Sequence, residues 1–196
     1  MKKAFIILNL ILLLLVGCKK DFTKFDHLLT PQIREKTTQP MLEYQLIGDP
    51  NITGKEAFRA LVSTFYKLKW KYDLEMQTPR ARWPKPCGTP REEWLGIFGI
   101  PVNNKITEIP EKIKNKYPKL ELATWEYGEI AEILHIGCYA SESETVNRLH
   151  SFITDSGYEI CGDHEEEYIK GPGMFFKGNP DNYRTIIRYQ IKKIVE

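Results

Sequence analysis

The sequence predicts an α+β protein made of two similar modules, each strand, helix, strand, strand. In this reading the two modules form a pseudo-twofold pair of antiparallel sheets, with the helices on one side and a ligand cleft at the seam. Three observations carry it. Two stretches have apolar residues at helical spacing, over 57–68 and 146–153. Runs of strand-forming residues follow each of them. The same order of elements occurs in both halves, as a repeat of pattern and not of residues.

The chain begins ahead of this fold. Lys2 and Lys3 precede an apolar run, Ala4 to Val16, broken only by Asn9. A basic start, a short apolar stretch and small residues at a cleavage point describe an export signal over 1–17. The run is short for a membrane span, which needs about 20 residues. Cys18 stands directly after Val16-Gly17, in the pattern of a bacterial lipobox. Its cysteine is acylated, a palmitate-type modification, and becomes the new N-terminus. Several acyl chains on one terminus hold a protein stably on a membrane surface. The expected location is therefore the bacterial cell envelope, anchored by lipid and facing the periplasm or the exterior. Residues 18–40 then read as the lipidated cysteine and a tether, with a short ordered turn around Phe25 to Leu29. The folded domain is expected over 41–196.

Charge narrows the function. The full chain has 28 basic and 26 acidic residues, and loss of Lys2 and Lys3 makes the mature chain formally neutral. A nucleic-acid binder would carry a basic excess, so none is expected as a partner. Removing Cys18 from the count leaves Cys87, Cys138 and Cys161. Three thiols cannot pair completely, and no Cys-x-x-Cys is present. Cys138 and Cys161 flank the second helix, and a disulfide between them is open.

In the first module, Met41 to Ile47 reads as a strand and Asp49 to Thr53 as a turn. Thr53 and Glu56 have capping-box spacing. Ala57, Phe58, Leu61, Val62, Phe65 and Leu68 form the helix stripe, with Lys55, Arg59, Lys67, Lys69 and Lys71 opposite. Trp94 to Val102 closes the module as an apolar run, and Pro110 to Tyr117 reads as a short surface helix. In the second module, Glu121 to Gly137 reads as one long strand. Ser141 and Glu144 repeat the capping-box spacing, and Val146, Leu149, Phe152 and Ile153 form the stripe. Gly157 sits where a helix C-cap belongs. Tyr158 to Ile169 and Tyr183 to Ile194 are the closing strands.

The densest chemistry lies in Gly157 to Pro172, GYEICGDHEEEYIKGP. Alternate residues of a strand share a face, so His164, Glu166 and Tyr168 point one way and Glu165, Glu167 and Ile169 the other. A metal centre would need converging ligands, and the other histidines lie on different elements. No metal and no cofactor is therefore assigned. An acid/base role needs a carboxylate in a dry pocket, and Glu166 is the candidate catalytic residue. A ligand wall needs one carboxylate among rings, which suits a flat, hydrophobic or cationic molecule. The candidate ligand-binding residues are Glu166, Tyr168, Tyr139, Tyr127, Trp125, Trp94 and Phe98. Each ring is equally compatible with core packing.

The second half resembles a known family. Glu126 to Tyr139 is similar to the strand of the GyrI-like small-molecule-binding domains, or AraC-type effector-binding domains, which ends in His-x-Gly-x-Tyr. Those residues are His135, Gly137 and Tyr139 here. Gly157-Tyr158, then Gly162, Glu166 and Tyr168, then Tyr183 and Thr185 continue the resemblance. It is strong over 121–193 and weak over 41–102. Two positions depart from the family: Ile186 stands where a glutamate is usual, and Cys138 where proline is common. The resemblance implies the two-module fold and a cleft at the seam. It also implies a binder of small molecules or, in some members, a hydrolase that opens strained rings. The family's regulators carry a DNA-binding region before this domain, where a tether is expected here, so no role in transcription is expected.

The expected function is thus a membrane-anchored protein that captures a hydrophobic, aromatic or cationic compound. A cofactor-free hydrolase using Glu166, and a structural lipoprotein that binds a protein partner, are the alternatives. The expectation favours a non-enzyme. Oligomeric state is left open.

Overall fold

The computed structural model describes residues 21–84, 88–172 and 178–195. The proposed signal segment, Cys18 and Cys87 lie outside the described residues. No helix among the described residues is long and apolar enough to cross a membrane.

The strands are β1 Gln32–Lys36, β2 Gln39–Ile47, β3 Arg80–Trp83, β4 Leu95–Pro101, β5 Leu120–Trp125, β6 Gly128–Ile136, β7 Tyr158–Ile160, β8 His164–Lys170 and β9 Arg184–Lys193. The helices are α1 Pro50–Tyr72, α2 Glu111–Lys116 and α3 Glu142–Asp155. Eight strands form one sheet in the order β1-β6-β9-β8-β3-β4-β2-β5, and β7 pairs with β9. All pairings are antiparallel. From the centre outward the two halves read β3-β4-β2-β5 and β8-β9-β6-β1. The pseudo-twofold expected from the sequence therefore passes between β3 and β8. The outermost strands are exchanged: β1 leads into β2 but pairs with β6, and β5 leads into β6 but pairs with β2.

Register fixes which side the helices take. Ala81, Glu166 and Ile187 are cross-strand partners and share a face. Ala81 packs in the cluster that contains α1 residues Leu61 and Phe65. Ile187 packs in the cluster that contains α3 residues Leu149 and Ile153. Both helices thus cover the same face, as their apolar stripes require.

Several expectations need correction. Residues 18–40 are not simply a tether. A 3-10 turn spans Thr23–Leu29, and Leu28 is buried against Leu134 and Ile186. β1 follows and extends the sheet, so the fold begins well before residue 41. The capping box at Thr53 does not form. Helix α1 starts earlier, where the Asp49 carboxylate accepts from the Asn51 N–H at 2.8 Å, with Pro50 as the first helical residue. Thr53 lies inside the helix and its hydroxyl donates to the Asp49 carbonyl at 3.0 Å. Ser141 occupies the N-cap of α3, yet its hydroxyl donates to the Cys138 carbonyl at 2.8 Å instead of capping the helix. The long strand of 121–137 is two strands, broken by a turn in which Gly128 has φ +81°. That left-handed backbone suits glycine, which has no Cβ to clash. The strand of 158–169 is likewise split into β7 and β8. Cys138 and Cys161 are free thiols.

Candidate functional site

The site is assembled around β8, whose alternation places His164, Glu166 and Tyr168 on the helix face. Six ring contacts run along that face. Trp94 lies against Trp83 at 5.8 Å between centroids, Trp83 against Phe98 at 5.5 Å, and Phe98 against Phe58 of α1 at 5.4 Å. Phe58 meets Tyr168 at 5.7 Å, Tyr168 meets Tyr139 at 6.0 Å, and Tyr139 meets Tyr183 at 5.6 Å. Most are edge-to-face, the favoured arrangement for aromatic pairs. This chain crosses the seam from the first module into the second. Five of the seven sequence candidates, Glu166, Tyr168, Tyr139, Trp94 and Phe98, therefore fall on one face. The rings touch one another and fill the seam. Tyr139, next to last in the series, is 38% exposed. Its hydroxyl lies 2.8 Å from where a Cβ at Gly171 would stand, so any other residue at 171 would push the ring away.

Trp125 and Tyr127 do not join this group. Both lie on the opposite face of the sheet, under Arg82. The Trp125 indole N–H donates to Glu43 at 2.6 Å. The Arg82 guanidinium stacks over both rings, at 4.2 Å and 4.9 Å from their centroids. The Tyr127 hydroxyl donates to Glu165 at 3.0 Å and accepts from Arg80 at 3.1 Å.

That opposite face is an ionic lattice. Glu132, Arg188, Glu165 and Arg82 are successive cross-strand partners on β6, β9, β8 and β3. Arg188 is 2% exposed and reaches Glu165 at 2.7 Å, Glu132 at 2.9 Å and Glu167 at 2.9 Å. Arg82 holds Glu165 at 2.8 Å, Arg80 holds Glu167 at 3.1 Å, and Arg34 pairs with Glu132. Burial pushes the Glu132 and Glu165 carboxyls up, but the neighbouring guanidinium groups outweigh it and hold both below the usual range.

On the helix face the acids meet a histidine instead of arginines. His164 Nε2 is 3.4 Å from Glu166 Oε1 and 3.7 Å from Glu142 Oε1. Its Nδ1 is 2.6 Å from the Tyr189 hydroxyl. Burial alone would lower the His164 pKa, but the Glu142 and Glu166 carboxyl groups beside it raise it well above the usual value. Both carboxyl groups thus favour the protonated form of the ring. Burial and the charge of Glu166 push the Glu142 carboxyl up. The same two causes raise the Tyr139 and Tyr168 phenols, which stay protonated donors. His150, packed on the Tyr189 ring at 4.9 Å, is lowered by burial and by His164.

Glu142, His164 and Glu166 each present a ligating atom, all within 4.8 Å of one another. The sequence reading assigned no metal because it found no partner for His164 and Glu166. Glu142 is that missing partner. It lies in the Ser141–Glu144 motif, where its only sequence signal is that of a helix start. Trp83, Phe58 and Tyr189 were also missed, each being one more aromatic in a chain rich in them.

No family model matches the chain, and no curated protein matches it. Solved structures do. An uncharacterized conserved protein from Listeria innocua superposes with TM-score 0.73 at 23% identity, covering 89% of this chain and 98% of that one. A hydrolase from Listeria innocua gives 0.71 at 21% identity, covering 84% and 92%. The EcmrR C-terminal domain gives 0.63 at 15% identity, covering 84% and 98%. These likenesses show the fold, a mixed α+β arrangement with a large antiparallel sheet and few helices. In it, the aromatic seam described above is the surface the two modules share.

Proposed function

We propose that the protein binds a small, flat, hydrophobic or cationic molecule in the aromatic seam between its two modules. The observation that carries this reading is Glu166, a carboxylate that meets no arginine among the described residues and is set beside Tyr168 in a continuous wall of rings. A ring wall stacks on a flat molecule and excludes water, and the carboxylate attracts its positive charge. Tyr139, an exposed ring of the wall, would swing out to admit the ligand. The lipobox pattern at Cys18 supports placing this activity at the bacterial cell envelope, tethered by lipid and facing the periplasm or the exterior. A capture role there would be to sense, buffer or hand on the compound.

A cofactor-free hydrolase is the second reading. The observation in its favour is that two protonated phenols, Tyr139 and Tyr168, sit beside the Glu166 carboxylate and could supply protons to a leaving group.

Thermal melting of the chain from residue 19 onward, which carries the whole described fold, tests the proposal. The panel is flat aromatic cations and neutral compounds of the same shape, on wild type and Glu166→Gln. A ligand at about 100 times its Kd adds roughly 2.7 kcal/mol. A cation-selective rise in Tm that Glu166→Gln abolishes is expected, and product analysis of the bound compound then separates binder from hydrolase. No rise with any compound, in a protein that melts cooperatively, overturns the reading and leaves a protein partner as the alternative.

A further inference from the structure

The proposed cleft contains a second carboxylate that its rings do not explain. Glu142 enters from the first turn of α3, and its Oε1 is buried without a hydrogen-bond partner. It is the only carboxylate oxygen in that condition among the described residues. The nearest basic nitrogen among the described residues, His164 Nε2, stands 3.7 Å away, beyond hydrogen-bond reach. The same nitrogen is closer to Glu166, at 3.4 Å. One histidine nitrogen thus stands between two carboxyl groups, and the Glu142 Oε1 is left without a donor. Buried polar atoms are rarely left so, and each such case calls for a missing partner. The contrast with the other face is direct, since Glu132, Glu165 and Glu167 are each met by guanidinium donors.

We infer that Glu142 is a ligand-binding residue and that the cleft takes a monocation bearing N–H donors, an amidinium, guanidinium or primary ammonium on a flat apolar body. This deepens the proposed function and rests on it. Three features select that class. Two acidic side chains, Glu142 and Glu166, facing a single histidine suit one positive charge. The unpartnered oxygen asks for a donor hydrogen, which a quaternary ammonium lacks. Tyr139, Tyr168 and Phe58 supply ring surface for the apolar body. Glu166 would attract either kind of cation through charge, whereas Glu142 would distinguish them through the hydrogen bond.

Two probes isolate the point: 2-naphthamidine, protonated at neutral pH, and (2-naphthyl)trimethylammonium, with the same ring and charge but no N–H. Calorimetric titration should give the amidinium an affinity roughly tenfold or more above the quaternary ion, the yield of one charge-assisted hydrogen bond. Glu142→Gln should erase that ratio with little effect on the quaternary ion, and Glu166→Gln should weaken both. Glu142→Asp keeps the charge with a shorter reach, and it serves if the glutamine variant does not fold. Equal affinities in wild type overturn this inference and leave the cleft standing. Stabilisation by Zn²⁺ that Glu142→Gln abolishes, with neither organic cation bound, overturns it in favour of a metal centre. Absence of binding by all three probes overturns the inference, and failure of every compound in the wider aromatic panel overturns the cleft itself.

Discussion

The two faces of β8 hold acids in opposite ways. Glu165 and Glu167 point into a lattice where every carboxylate meets a guanidinium. Glu166, their neighbour in sequence, points into rings, with a single histidine shared with Glu142. The difference teaches how to sort acidic residues in one strand. Fully paired charges hold the sheet in a single register, because each cross-strand partner has a fixed counter-ion. A carboxylate left among aromatics, with a shared histidine and no guanidinium among the described residues, is freer to meet a ligand.

The largest test of that contrast is Arg188→Met. It leaves Glu132, Glu165 and Glu167 without their shared cation, and removing one partner of a buried ionic group costs about 3–5 kcal/mol. Urea unfolding should show that loss. A loss below about 1 kcal/mol would mean the lattice is screened by solvent and the contrast fails.

A closer comparison uses adjacent residues. Glu165→Gln should cost about 2–3 kcal/mol, because Arg188 and Arg82 lose a charge-assisted partner. Glu166→Gln should change stability by less than about 1 kcal/mol. Equal effects in paired denaturation curves would erase the distinction between the faces.

The faces should also respond to opposite ends of the pH scale. Glu132 and Glu165 have folded pKa values below the unfolded value near 4.5, despite burial, because of their arginines. Their contribution is present above that value and is lost as pH falls through the folded pKa. His164 has a folded pKa raised above 6.5, where its carboxylates outweigh burial. Its contribution is complete below about 6.5 and is lost as pH rises through the raised value. Of the groups facing it, Glu142 and Glu166 favour the imidazolium, Tyr189 meets its Nδ1, and His150 opposes the charge. The His164 ring titration by NMR should move to lower pH in Glu166→Gln, while the acid limb of unfolding stays in place.

The smallest effect is at Lys36, which lies over the Tyr127 ring at 4.6 Å on the ionic face. Burial, then Arg80 and Arg188, lowers its pKa to about 8. At pH 8 about half of its amine is neutral. Acylation with a limiting reagent, read by mass spectrometry, should mark Lys36 ahead of Lys192, whose pKa is raised by its hydrogen bond to Glu159.

Much of this architecture was legible from pattern. The stripes of α1 and α3, the strands β2, β4 and β9, and the shared face of His164, Glu166 and Tyr168 all follow from periods of 3.6 and 2. β3 was not legible, because a strand reading Arg-Ala-Arg-Trp looks solvated until Glu165 and Glu167 are placed opposite it. β1, Gln-Ile-Arg-Glu-Lys, is an edge strand whose polar residues mimic a tether. The face taken by Trp125 and Tyr127 was unreadable because the turn they flank sends β5 and β6 into different halves of the sheet. Glu142 was hidden because its position depends on where α3 docks, which no local pattern records.

The exchanged outer strands have a consequence for how the molecule could be divided. Each half lends the other a strand, β1 to the second module and β5 to the first. A cut in the connection between β4 and β5 would part the chain into two pieces of comparable size. The amino-terminal piece would keep β1 with no sheet to join, and the carboxy-terminal piece would keep β5 in the same condition. Each would be an incomplete sheet carrying the missing edge of the other. Such a pair is suited to reassemble on mixing, and the chain becomes a natural starting point for a split reporter whose halves rebuild the aromatic seam only when brought together.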